Sequence, residues 1–150
     1  MILLVHMLFG SAIGAIIKNP FLAIVLAFLG HYFLDLFPHI EYNIDNIQRK
    51  IWGKALPDLL KVLLDFSLAV LIIFFISKNS FIIYICGFIA LIPDGLTLIS
   101  YAFPNKIMAR HDYIHTQKIH YLTRQKKFPI FWRIATQIIA AIVSIAFLKY

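Results

Sequence analysis

One cysteine in 150 residues, seven carboxylates and a charged fraction of 14% are what this chain has little of. Cys86 stands alone inside an apolar run, which excludes a disulfide framework and a thiolate metal site. A soluble domain carries about 25% charged and about 45–50% apolar residues. Here 61% are hydrophobic and the mean hydropathy is +0.84, too apolar for a soluble core. No tandem repeat and no lipidation motif are present, and the length leaves room for one bundle without a second domain. Met1-Ile2-Leu3-Leu4-Val5 leads straight into an apolar stretch without a basic n-region. That start is read as a retained first helix rather than a cleaved signal peptide.

The apolar residues come in runs. A spanning helix needs about 20 mostly apolar residues, and five stretches come near this: about 2–17, 21–37, 57–76, 81–103 and 128–148. Lys18-Asn19-Pro20 and Lys78-Asn79-Ser80 are tight turns, so helices 1 with 2 and 3 with 4 should be antiparallel pairs. The fourth stretch is interrupted by Pro93-Asp94-Gly95. The expected fold is an all-α integral membrane bundle of about five transmembrane helices, with a basic amphipathic segment over 104–127.

Charge sets the expected orientation. Arg49, Lys50, Lys54, Lys106, Arg110, Lys118, Arg124, Lys126 and Lys127 fall on one side, against Lys18, Lys78 and Lys149 on the other. The positive-inside rule then places the N-terminus in the cytoplasm and the C-terminus outside, in an inner or plasma membrane. The net charge of +7 is therefore a membrane signature and no sign of nucleic-acid binding.

The few ionisable residues inside the apolar runs are informative. An Asp at the centre of a spanning helix costs roughly 2.5–3.5 kcal/mol on insertion scales, so such residues face the bundle interior and mark function. His6, His31, Asp35, His39, Asp58, Asp65 and Asp94 all fall in the cytoplasmic half, and the opposite half has no Asp, Glu or His. His31 and Asp35 share one helix face, as do Asp58, Lys61 and Asp65. His6, Gly10 and Gly14 repeat every four residues, a small-residue stripe expected to hold His6 against a neighbour, most simply helix 2.

Imidazoles and carboxylates without thiolates suit zinc above all, with manganese and iron(II) also open. The expected metal ligands are His31, Asp35, His39, Asp94 and His6, drawn from several helices as bundles build such sites. Asp65 and Asp94 are the candidate general bases for a metal-bound water. Plainer readings stand beside these. His6 is equally an interfacial residue, and Asp58 a helix-start residue favoured by the dipole. His39 with Glu41 reads as loop, and Asp65 with Lys61 as an isolated pair. Asp58, Lys61, His111 and His115 are secondary candidates. His111 and His115 stand at i, i+4, with His120 nearby. The competing reading is a basic helix lying on an anionic leaflet, with Tyr113, Ile114, Ile119 and Tyr121 dipping into the interface.

His6 near the first helix start and the stretch Gly30-His31-Tyr32-Phe33-Leu34-Asp35-Leu36-Phe37-Pro38-His39-Ile40-Glu41 resemble the membrane-bound metal-dependent hydrolases of the YdjM type. Pro38-His39-Ile40-Glu41 and Ile92-Pro93-Asp94 look like that family's Pro-Asp element, the second of them later in the chain. His111 to Thr116 resembles its paired-histidine motif, with three residues between the histidines instead of four. The resemblance covers about a third of the chain and implies a metal site more than a particular reaction.

The expected function is a membrane-embedded metal-dependent hydrolase, its activated water attacking an ester or phosphoester of a lipid-like substrate at the cytoplasmic leaflet. The alternatives are a non-catalytic membrane protein that binds lipid or a partner, and an ion- or proton-coupled carrier. Membrane lipids and an amphiphilic substrate are the expected partners, with homo-oligomerisation left open.

Overall fold

A computed structural model describes residues 1–78, 80–120 and 128–149 of the chain. Asn79 of the second expected turn, and Tyr121, Arg124, Lys126 and Lys127 of the basic segment, lie outside the described residues. The secondary structure is all helical, with no strand among the described residues.

Helix α1 spans Leu3–Ile16 and α2 spans Pro20–Asp35. Between them the Asn19 side chain accepts a hydrogen bond from Leu22 N at 3.1 Å, and Pro20 occupies the first turn. Proline is tolerated there because its missing N–H would be unsatisfied anyway. A loop carries the short helix α3, Asp45–Gln48, and a 3-10 turn, Trp52–Lys54. Helix α4 follows over Leu56–Ile76, with Pro57 in its first turn.

The fourth apolar stretch is two helices, α5 over Phe81–Ile89 and α6 over Ile92–Ala102, bent by 46°. The break falls at Ala90-Leu91, and Pro93 opens α6 instead of interrupting a continuous rod. Helix α7, Lys106–Tyr113, starts where Asn105 accepts from Met108 N at 2.9 Å. It runs into a π-helical turn, Ile114–Ile119. Helix α8 covers Ile130–Leu148.

Helix α1 is the axis of the bundle and packs against α2, α4, α5 and α8. Its Met7, Leu8 and Ala12 meet Ala69 and Ile73 of α4, Ile83 of α5 and Leu148 of α8 in the main core. The outer surface is apolar as well. Phe75 of α4 is 77% exposed and Phe81 of α5 80%. In water each such side chain would forgo about 1.5–3 kcal/mol of burial, which apolar surroundings do not exact. Helices α4 and α8 are long and apolar enough to cross a membrane, and the bent pair α5–α6 is a third such candidate. Helices α1 and α2 are apolar but shorter.

The small-residue stripe of α1 faces α5 and not α2. A methyl group on Gly10 would lie 2.5 Å from the Cys86 carbonyl oxygen and 2.6 Å from Ala90 Cβ. One on Gly14 would lie 2.9 Å from the Ile82 oxygen. Gly87 on α5 makes the reciprocal approach to Ser11. Backbone this close cannot yield without parting the helices. Gly10→Ala is therefore expected to cost about 1–3 kcal/mol, the usual range for overpacking, seen as a lower melting temperature in detergent. His6 still meets α2, by stacking its ring on His31 with centroids 3.9 Å apart.

Candidate metal centre

Asp35 ends α2 fully buried, and the surrounding imidazoles turn toward it. His31, one turn earlier on the same face, has Nε2 3.0 Å from Asp35 Oδ2. His115 Nε2 and His120 Nε2 each lie 3.2 Å from the same oxygen. On the other oxygen, Oδ1, His6 Nε2 stands at 3.1 Å and His39 Nε2 at 3.8 Å. The Met1 amino group is 2.7 Å from Oδ1. Asp94, in the first turn of α6, places Oδ1 3.6 Å from His31 Nε2 and 3.9 Å from His115 Nε2.

The outer ring nitrogens explain the orientation. His31 Nδ1 lies 2.7 Å from Ala90 O at the α5–α6 break, where helix-end carbonyls lack ladder partners. His39 Nδ1 lies 2.7 Å from Phe37 O. His120 Nδ1 lies 2.8 Å from Glu41 Oε1, and His115 Nδ1 lies 3.1 Å from Thr97 Oγ1. Carbonyls and carboxylates only accept, so Nδ1 of His31, His39 and His120 carries the hydrogen and donates it. A neutral ring then presents Nε2 as a bare lone pair. His31 Nε2 faces His115 Nε2 at 3.0 Å, and His39 Nε2 faces Glu41 Oε1 at 3.0 Å. Lone pairs set against lone pairs and carboxylate oxygens repel unless a cation lies among them. Outer nitrogens tied to acceptors and inner nitrogens turned together are how metal-binding histidines are held.

Two residues of the loop side show the same demand for positive charge. Burial would raise the Glu41 carboxyl, but the hydrogen bond that His120 Nδ1 donates to it outweighs burial and holds it well below the usual carboxylate range. Burial pulls the His120 imidazole down, but its hydrogen bonds to Asp35 and Glu41 outweigh that and raise it to about 9. A proton on that ring, or a metal ion in its place, supplies the countercharge.

Among the described residues, His31, Asp35, Asp94 and His115 have donor atoms close enough to hold one ion, and so do Asp35, His39 and His120. Of the ligands expected from sequence, His31, Asp35, His39 and Asp94 are therefore brought together. His6 lies beside them, its Nε2 3.1 Å from Asp35 Oδ1 but out of line for a hydrogen bond and its Nδ1 buried without a partner. His115, a secondary candidate, is central.

The other candidates are engaged elsewhere. Asp65 Oδ2 accepts from Leu4 N at 3.0 Å, capping the start of α1 from α4. Asp58 accepts from Asn46 N at 2.9 Å and Ile47 N at 3.3 Å. Lys61 Nζ donates to Asn43 O at 2.9 Å and lies 3.4 Å from Asp58 Oδ1, so this pair pins the loop around α3. His111 Nε2 lies 3.1 Å from the Tyr32 hydroxyl and belongs to neither group of donors.

His120 and Glu41 gain a weight the sequence did not single out. His115 and His120 are five apart, and the π-helical turn between them, closed by His120 N donating to His115 O at 3.2 Å, brings both rings inward. Such wide turns cluster at functional sites. Helix α8 contributes a clamp. Arg133 Nε donates to His39 O at 2.8 Å, Gln137 Nε2 to Ile40 O at 2.6 Å, and Thr136 Oγ1 to Pro38 O. These three hold the loop that aims His39. Arg133→Met should weaken metal binding about 10–100-fold, as loss of an outer-shell partner does, measurable by competition with a chromogenic chelator.

A cavity opens beside the cluster. Its lining mixes Asp94, Glu41 and His120 with the apolar Ile44, Val62 and Leu98. Comparison with protein-family models, curated proteins and solved structures finds no match.

Proposed function

We propose that this protein is a membrane-embedded metal-dependent hydrolase acting on an ester or phosphoester of an amphiphile at the cytoplasmic leaflet. The observation that carries the reading is the set of histidines whose Nδ1 atoms are tied down while their Nε2 atoms converge on Asp35. In this reading α1, α2, α4, the bent α5–α6 pair and α8 all cross the bilayer, with the N-terminus and the centre toward the cytoplasm. Helix α1 is short for a span, but its neighbours surround it and spare it the full lipid thickness. The basic residues Lys106, Arg110 and Lys118 on the α7 side then lie at the anionic leaflet. The resemblance to the YdjM-type hydrolases points the same way.

Zinc is the first choice of ion, with manganese or iron(II) next, and it would supply Lewis acidity and a water acidic enough to attack at neutral pH. The chain's own groups do the rest. Asp94 borders the cavity with its side chain 28% exposed, which supports assigning it the proton of the attacking water. The water oxygen would bond to the carbonyl carbon or phosphorus, the ester bond to the leaving oxygen would break, and the proton held by Asp94 would pass to the departing alcohol. The half-polar, half-apolar cavity suits a headgroup joined to a hydrocarbon tail.

The test is metal content of the detergent-purified protein beside His31→Ala and Asp94→Ala variants, followed by assay on lipid and simple ester substrates. Bound zinc, manganese or iron that falls in both folded variants, with hydrolysis lost, supports the reading. Protein that stays metal-free after gentle purification and reloading overturns it and leaves the cluster as an internally paired structural element.

A further inference from the structure

The donors around Asp35 outnumber what one ion takes. Asp35, Asp94, His6, His31, His39, His115 and His120 all lie within 4 Å of another member of the cluster. A first-row divalent ion with nitrogen and oxygen ligands accepts about four to six. Nor do these donors form one group. Those close enough to share an ion divide into His31, Asp94 and His115 with Asp35, and His39 and His120 with Asp35. Asp35 alone belongs to both. Each group has its own supports. Ala90 O and Thr97 hold the rings of the first, and Phe37 O and Glu41 those of the second. The loop bearing His39 has its separate clamp from α8.

We propose that the centre is dinuclear, with the Asp35 carboxylate bridging two divalent ions, one held by His31, His115 and Asp94 and the other by His39 and His120. The inference rests on the metal-binding reading above and adds a second ion to it. A single carboxylate buried among five imidazoles then has a chemical reason: it is shared by both groups of donors, and two divalent charges balance the electron-rich interior. Glu41 orients His120 from outside the pair through its 2.8 Å bond to Nδ1.

The experiment loads full-length protein in detergent with manganese, removes the excess, and measures metal per chain together with the electron paramagnetic resonance spectrum. Two ions per chain with an exchange-coupled spectrum are expected. His39→Ala and His120→Ala should each reduce the content to one ion and leave an isolated six-line manganese signal. One ion per wild-type chain, or two ions with uncoupled signals, overturns the bridged pair while leaving the single-metal reading standing. No metal at all overturns the metal-binding reading itself, so the two failures are distinct. If either variant fails to fold, the stoichiometry and coupling of the wild-type protein decide alone.

Discussion

Asp35→Asn is expected to strip the protein of metal and to make its stability indifferent to chelators. The asparagine keeps the shape of the side chain but loses the charge that every Nε2 of the cluster faces. In the native chain a bound ion adds stability by mass action, about 2.7 kcal/mol at a free concentration one hundred times the dissociation constant. Chelation should therefore lower the native melting temperature and leave that of Asp35→Asn unchanged. The variant takes the ion-pair partner from the buried Met1 ammonium, so its melting temperature without metal should start below that of the native chain. A native melting temperature insensitive to both chelator and added metal would argue that Asp35 and its histidines are a structural network only.

The second large effect separates two histidines that sequence spacing treats alike. His115→Ala should abolish binding at the ion shared with His31 and Asp94, a loss larger than the about 10–100-fold typical of outer-shell partners. His111→Ala should leave metal content unchanged. An α-helical period pairs His111 with His115, four apart. In the structure the helix widens after Tyr113, and His115 and His120 both turn toward Asp35, each within its own group of donors. His111 is left against the Tyr32 hydroxyl. Equal metal loss in the two variants would mean that the α-helical pairing holds and that His111 belongs to the site. Isothermal titration of the apo protein with zinc reads both cases.

Asp65 and Asp94, the two carboxylates with a claim to act as base, separate in the same way. Asp65→Ala should lower stability by about 0.5–2 kcal/mol, the usual cost of a lost helix cap, because Leu4 N loses its acceptor. Its metal content should stay at the native level. Retained metal with a lowered melting temperature separates a capping role from a catalytic one.

Much of the centre was legible in the chain. His31 and Asp35 are one turn apart on an apolar helix, and the cost of placing them there is a general property of apolar surroundings. The asymmetry of Asp, Glu and His along the bundle is likewise a property of the string of residues. A polar stripe at Arg133, Thr136 and Gln137, spaced by three and four on an otherwise apolar helix, was equally readable, and it marks the face that clamps the His39 loop. Asp58 and Asp65 could not be separated from the ligands by spacing. Each sits on α4 at a plausible depth, and only the position of a neighbouring backbone N–H shows that its charge is spent as a cap.

By itself, then, the sequence determined an all-helical apolar chain, the sites of its turns, and the residue types from which a hard-ligand metal centre can be built. Those follow from local rules: hydrophobic runs, Asn and Pro at helix starts, and the price of charge in an apolar medium. The tertiary structure decided which helix the Gly10–Gly14 stripe meets, which carboxylates remain free, and which two histidines of the basic segment turn inward. Those depend on contacts between residues far apart in the chain. His31 meets His115 across 84 positions, and Asp35 meets His120 only through a widened helical turn whose presence no α-helical spacing announces.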